Sequence, residues 1–193
     1  MPVFTVFAGP NGSGKSSVIR RVDFAGRENL LEADAIAKAI QTSDPRAAAI
    51  TAGREVLRRT QAYIDSGQDF AIETTLAGGW TTTAIKAALV RRFFVRLVYI
   101  CVDNPERSIQ RVHERVAEGG HDVPDEDVRR RYARSLSNLR QVLALVDQAI
   151  LYDNSGVEPR FLLEFRSGVI ARKADELPSW AVNFVESPLR VHS

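Results

Sequence analysis

The chain has 193 residues but only one cysteine, one methionine and three histidines. A lone cysteine excludes a disulfide scaffold. Cys101 lies inside the apolar run Leu97 to Val102, where a buried, inert thiol is expected rather than a nucleophile. No stretch approaches the roughly 20 apolar residues that cross a bilayer. The amino terminus runs straight into the apolar segment Val3 to Ala8, without a basic leader or cleavage site, so a cytoplasmic protein is expected. Blocks of like charge are missing too: Lys and Arg number 26 against 24 Asp and Glu, a formal net charge of +2. Interspersed charges of that kind form no nucleic-acid-binding tail, and nucleic acid is not an expected partner. Without internal repeats or low-complexity linkers, residues 1–193 read as one domain, long enough to bury a core unaided.

Five short apolar runs alternate with helical patterns: Val3 to Ala8, Asn29 to Ala33, Asp69 to Thr74, Val95 to Val102 and Gln148 to Tyr152. This alternation predicts an α/β fold with a five-stranded parallel sheet covered by helices on both faces. Asp44-Pro45 and Gly67 delimit a helix over Pro45 to Ser66. Leu136, Leu139, Leu143 and Val146 recur at helical spacing within a second helix, Arg134 to Val146. Residues 160–181 read as a C-terminal edge hairpin, with a strand over Phe161 to Phe165 and a turn at Ser167-Gly168.

The segment Gly9-Pro10-Asn11-Gly12-Ser13-Gly14-Lys15-Ser16 matches G-x-x-x-x-G-K-S between an expected strand and an expected helix, Lys15 to Val22, which is the context a phosphate-binding loop requires. Its glycines free backbone amides to face phosphate oxygens, and the helix amino terminus adds partial positive charge. Lys15 is placed to reach the outer phosphates and the Ser16 hydroxyl to ligate magnesium. Gly9, Asn11, Gly12, Ser13, Gly14, Lys15, Ser16 and Ser17 are thus assigned to a bound nucleoside triphosphate. A guanine-reading N-K-x-D element is missing, which points to ATP. An ABC-type signature is missing, and the run Val98 to Asp103 ends Asp-Asn-Pro rather than in the Asp-Glu pair of a motor ATPase. A small kinase-like protein remains.

Ligands of parallel sheets bind at the carboxyl ends of the strands. There the chain offers Asp34, Glu73 with Thr74 and Thr75, and Asp153-Asn154-Ser155. Asp34 is the candidate acceptor of a substrate hydroxyl proton, and it is also suited to cap a helix over Ala35 to Ile40. Glu73, inside an apolar strand, needs a partner. Thr74 and Thr75 are candidate substrate contacts, and Asp153 and Asn154 candidate adenine contacts. Trp80 is suited either to stack on a substrate ring or to cover an apolar edge. Arg107, Arg111 and Arg115 fall four apart on one helical stripe, and Arg129, Arg130, Arg131 and Arg134 follow a glycine-containing break. Over about residues 107–134 they suggest a lid that brings guanidinium groups to the transferred phosphoryl group, with Arg111 assigned to substrate. The alternative is a solvated face paired with Glu114, Glu118, Asp125, Glu126 and Asp127. His121 has no second His or Cys at ligand spacing and reads as a lid-hinge residue, so no metal beyond magnesium is expected.

Taken together, the phosphate loop, Asp34, Ala71-Ile72-Glu73-Thr74-Thr75-Leu76, the Arg115 to Tyr132 segment with its Gly-Gly-His-Asp-Val-Pro, and Tyr152-Asp153-Asn154-Ser155 resemble the zeta-toxin family of P-loop kinases over about residues 3 to 156. The resemblance implies a nucleotide-kinase-like fold and ATP-dependent phosphorylation of a hydroxyl of UDP-N-acetylglucosamine. It implies phosphate-loop Lys15, catalytic Asp34, substrate-binding Glu73 and Thr75, and lid arginines at Arg115 and one of Arg130 or Arg131. An antitoxin partner is implied by the resemblance alone. The same residues would serve a kinase for a nucleotide, tRNA or antibiotic, and a nucleotide-gated binding module with little turnover is the rival from another class.

Overall fold

A computed structural model describes residues 1–40, 42, 44–120 and 122–186. In chain order its strands are β1 (Val3–Ala8), β2 (Leu30–Leu31), β3 (Phe70–Thr74), β4 (Phe94–Cys101), β5 (Gln148–Asp153), β6 (Arg160–Arg166) and β7 (Val169–Lys173). The helices are α1 (Lys15–Arg21), α2 (Ala33–Ala39), α3 (Pro45–Ser66), α4 (Trp80–Val90), α5 (Pro105–Ala117), α6 (Asp125–Leu143) and α7 (Ser179–Glu186). The strands form one sheet in the order β2-β3-β1-β4-β5-β6-β7. Its first five strands are parallel, as the alternating pattern predicts, and β6 and β7 extend it antiparallel as the expected hairpin.

Alternate residues of the central strands feed two apolar layers. Phe4, Val6, Phe70, Ile72, Leu97 and Tyr99 pack with α3, α4, α6 and α7, and the Phe4 and Phe70 rings stack at 4.2 Å. On the other face Phe7, Ala71, Val98 and Ile100 pack against Val18 and Ile19 of α1. Tyr132 of α6 donates its hydroxyl to the Val102 carbonyl (2.7 Å), tying the helix to the end of β4. A third, small cluster of Ile109, Val112, Val123 and Val128 joins α5 to α6 apart from the main core. Among the described residues no helix is long and apolar enough to cross a membrane.

Helix α3 has the bounds its punctuation predicts: the Asp44 carboxylate caps it, Pro45 opens it, and left-handed Gly67 ends it. Four expectations shift. The strand expected over Asn29 to Ala33 contracts to Leu30–Leu31, because Asn29 closes a 3-10 turn and Ala33 already begins α2. That early start makes Glu32 the cap position and puts Asp34 inside the first turn, so Asp34 is not the cap. The helix expected over Arg134 to Val146 runs over Asp125–Leu143, with Asp125, Glu126 and Asp127 in the first turn complementing its dipole. The hairpin region ends in α7, an unexpected helix whose Trp180, Ala181 and Phe184 join the core. With eight residues it is too short to show a clear helical period.

Burial pushes the Cys101 thiol up to about 12, and the side chain is inaccessible. At pH 8 the native protein is expected to release no chromophore from Ellman's reagent, and one equivalent in denaturant. Stoichiometric reaction of the native chain would contradict this placement.

Candidate functional site

The loop that follows β1 is wedged between neighbouring strand ends. The Gly9 amide donates to the Thr74 carbonyl of β3 (3.2 Å). A side chain at Gly9 would strike the Ile100 carbonyl of β4, and one at Gly14 would strike the Asn154 amide. Both glycines have positive φ, 145° and 87°, so closeness of packing and backbone conformation demand glycine together. The Asn154 side chain at the end of β5 donates to the Ser13 carbonyl (2.8 Å). Expected as an adenine contact, Asn154 is found bracing the phosphate loop. Asp153 is similarly engaged, by the Ser155 hydroxyl (2.6 Å) and by Arg160 (3.5 Å).

Lys15, only 7% exposed, donates to the Pro10 carbonyl (3.0 Å) and lies 3.8 Å from a Glu73 oxygen. Burial lowers its pKa from the usual lysine range, against the opposing charges of Glu73 and Asp34. Ser16 donates its hydroxyl to the other Glu73 oxygen (3.1 Å). Glu73 therefore has the partner it needs, and Ser17 lies exposed one residue further. Glu32, just past the end of β2, lies close enough to Glu73 for the two carboxyl groups to interact. Its own carboxyl is held above the ordinary range by burial first, then by Glu73. Glu32 is the site residue that the sequence pattern does not single out. Its signal is a second acid two residues before Asp34, visible only once β2 is known to end there. Ser16, Glu73 and Glu32 form an all-oxygen donor set that suits a hard cation such as magnesium. Among the described residues no cluster of three or more His, Cys, Asp or Glu side chains offers another metal site.

Beside the loop, Asp34 and Lys38 of α2 share a cavity of about 200 Å³ with Arg115, Glu118, Gly119 and Gly120. The glycine pair shapes it. The Gly119 amide donates to the Val116 carbonyl (2.9 Å) and that of Gly120 to the Arg115 carbonyl (2.8 Å), the paired bonds that end a helix on a left-handed residue; Gly119 has φ 84°. A side chain at Gly120 would meet the Arg115 stem at 2.5 Å, so glycine there leaves room for the arginine.

The other arginines are placed differently. Arg130 and Arg131 pair with Asp127 (2.7 and 3.8 Å), Arg107 with Asp103 (2.6 Å) and Arg129 with Glu106 (3.3 Å). None of these, nor Arg111, lines the cavity. The Thr74 hydroxyl accepts from the Leu76 amide (3.1 Å) and contacts Thr81 (3.4 Å), holding the turn after β3, and Thr75 is half-buried. Trp80 packs against the main core. His121 lies outside the described residues.

A parallel sheet with β1 central, a phosphate loop leading into α1 and acidic residues at adjacent strand ends defines a P-loop nucleotide-binding domain. The chain belongs to the AAA_33 family of AAA domains, whose pattern matches residues 4–138. An uncharacterized protein of Haemophilus influenzae is 33% identical over 126 residues, which are 65% of this chain and 89% of the relative. Among solved structures, one from the PezAT chromosomal toxin–antitoxin system of Streptococcus pneumoniae superposes with a TM-score of 0.61 at 18% identity. The match covers 82% of this chain and 72% of that one. The AvrRxo1-ORF1:ORF2 complex solved with ATP gives 0.70 at 14% identity, covering 100% and 66%. At such identities these two establish the fold, which agrees with the fold the motifs imply.

The Asn154 brace carries a prediction. Asn154→Ala removes one buried hydrogen bond and is expected to weaken binding of a fluorescent ATP analogue by about 1 kcal/mol, or roughly fivefold. Asn154→Asp, which sets an acceptor against the Ser13 carbonyl, is expected to weaken it further. Unchanged affinity in both variants would contradict a bracing role.

Proposed function

We propose that this protein is an ATP- and magnesium-dependent phosphotransferase that moves the terminal phosphate to a hydroxyl of a small metabolite. A sugar nucleotide resembling UDP-N-acetylglucosamine is the first candidate acceptor. The observation that carries the reading is the shared cavity of Asp34 and Arg115, whose charges are both felt by the buried Lys15. A triphosphate site with a carboxylate and a guanidinium on its open side has the parts that transfer to a second substrate requires.

In this mechanism the loop amides and Lys15 hold the β- and γ-phosphates. Ser16 and the Glu73–Glu32 pair would hold a magnesium ion, which would supply positive charge to offset that of the phosphates. Asp34 accepts the proton of the acceptor hydroxyl as its oxygen attacks the γ-phosphorus. The bond to the β–γ bridging oxygen breaks, and ADP leaves with that electron pair. Arg115 offsets charge on the equatorial oxygens, with Arg130 or Arg131 joining it only if the lid shifts and the Asp127 pairs open. Thr75 and Arg111 remain proposed acceptor contacts. The likeness to a structure from the PezAT toxin–antitoxin system and to the AvrRxo1-ORF1:ORF2 complex supports an antitoxin-like partner, and a cytoplasmic setting belongs to the same reading.

Purified protein incubated with labelled ATP, magnesium and a metabolite extract is expected to yield a phosphorylated small molecule, and Lys15→Ala protein none. Asp34→Asn is expected to lower kcat about 10²–10⁴-fold while leaving ATP affinity intact. Wild-type turnover by Asp34→Asn would refute the assigned base. Nucleotide binding without any lysine-dependent product would favour a nucleotide-gated binding module.

A further inference from the structure

Part of one sheet face is left open by the helices. On the first face α3, α4, α6 and α7 pack, and the apolar residues of α5 are spent on α6. On the second face α1, seven residues long, covers side chains of β1, β3 and β4. Beyond it, among the described residues, a row of polar side chains crosses four strands. Arg96 of β4 donates to the Gln148 side chain of β5 (2.8 Å), and Gln148 donates to Glu164 of β6 (2.9 Å). Glu164 also accepts from Arg166 (3.0 Å) and lies 3.9 Å from Arg172 of β7. Two of the guanidinium groups lie near half-buried rings. Arg172 is 4.9 Å from the centre of Phe161 and Arg96 is 5.7 Å from that of Phe94, distances at which cation and ring attract.

The row sets three arginines against one acid. Glu164 is buried, whereas Arg166 and Arg172 are 70% and 71% exposed, and Arg96 is paired with a neutral amide. Acids nearby in the chain are engaged elsewhere: Asp147 by the Val95 amide (2.7 Å), Glu158 by Arg21 (2.6 Å) and Asp153 by the Ser155 hydroxyl (2.6 Å). We infer that this face binds single-stranded RNA, with phosphates on the three arginines and bases stacked on the guanidinium planes and the rings beside them. Positive charge interleaved with stacking surfaces is what an unpaired strand requires. A flat sheet face offers no helix or ribbon to enter the groove of a duplex. A protein partner would need an apolar centre depleted of charge, and here charge occupies the centre. The acceptors there, Gln148 and Glu164, suit the 2′-hydroxyl of ribose, a donor that deoxyribose lacks. The order of residues hides the surface, because its arginines come from three separate strands and share a face through strand alternation. The expectation that nucleic acid is not a partner is revised accordingly. Arg96 and Gln148 lie toward the amino ends of β4 and β5, away from the phosphate loop, so this inference stands apart from the phosphotransferase reading.

Fluorescence anisotropy on the full chain tests this with a labelled, unstructured RNA oligonucleotide, DNA of the same sequence, the RNA duplex, and poly-glutamate as competitor. The single-stranded RNA is expected to bind more tightly than the DNA or the duplex. Its log affinity is expected to fall against log salt with a slope of about −2, since three phosphate contacts each contribute roughly −0.7 on a single strand. Arg172→Ala and Arg96→Ala are each expected to weaken RNA about tenfold, the loss of one stacked base, and to make the slope shallower. Arg172→Lys is expected to restore the slope without the full affinity, because an ammonium carries the charge but no plane. Affinity for a fluorescent ATP analogue should stay constant in every variant, which shows that the fold and the phosphate loop are intact. No RNA binding at low salt, or binding that survives Arg96→Ala combined with Arg172→Ala, would overturn the inference. DNA or duplex bound as tightly as the RNA would overturn the assignment to RNA. Displacement of the RNA by an equal charge of poly-glutamate would make the occupant an acidic protein surface and overturn it as well.

Discussion

The burial of the Lys15 ammonium constrains the rest of this site. Removing a charge from water costs several kcal/mol, and here the loss is met by the Pro10 carbonyl and by Glu73. The loop must therefore curl back on itself, and β3 must end in an acid beside β1. Glu73 also takes the Ser16 hydroxyl, so one carboxylate holds both the Lys15 and the Ser16 side chains of the phosphate loop. A triphosphate brings negative charge to the same lysine and can replace Glu73 as its partner. Lys15, Ser16, Glu73 and the Pro10 carbonyl thus form one connected set of polar contacts.

Strand order serves that set of contacts. With β1 central, the loop after it meets β3 on one side and β4 on the other, and Asn154 reaches it from the end of β5. Three strands thus hold a turn that would otherwise have few contacts. The α5–α6 pair is built differently. Its apolar contacts form a small cluster separate from the main core, while Tyr132 anchors α6 to β4. Arg115 is presented to the cavity because α5 ends one turn later in two glycines, and Arg107, Arg129, Arg130 and Arg131 are paired locally with acids one turn away or on the facing helix.

Much of this was legible in the order of residues, for reasons that are local. Apolar runs without alternation marked strands buried on both faces, and Asp44-Pro45 with Gly67 bounded α3 to the residue. Short elements were less visible: two-residue β2 carries no period, and α7 owes its existence to Trp180, Ala181 and Phe184 finding the core. At the candidate site, Lys15, Ser16 and Glu73, which the residue pattern singles out separately, are brought into mutual contact. Glu32 was missed because one acid near a strand end is unremarkable until a second is brought beside it. Asn154 was recognised as a residue of the site but assigned to the base, since nothing in the order of residues says that β5 ends against Ser13.

The sequence by itself determined a phosphate loop on an α/β domain, because that loop's conformation depends on glycines and a helix start that are contiguous in the chain. Only the tertiary structure decided which distant groups complete it. Glu32 with Glu73, Asn154 with Ser13, and Asp34 and Lys38 opposite Arg115 and Glu118 come from separate strands and helices. Their meeting depends on strand order and on where each helix stops, and those are outcomes of packing the whole core.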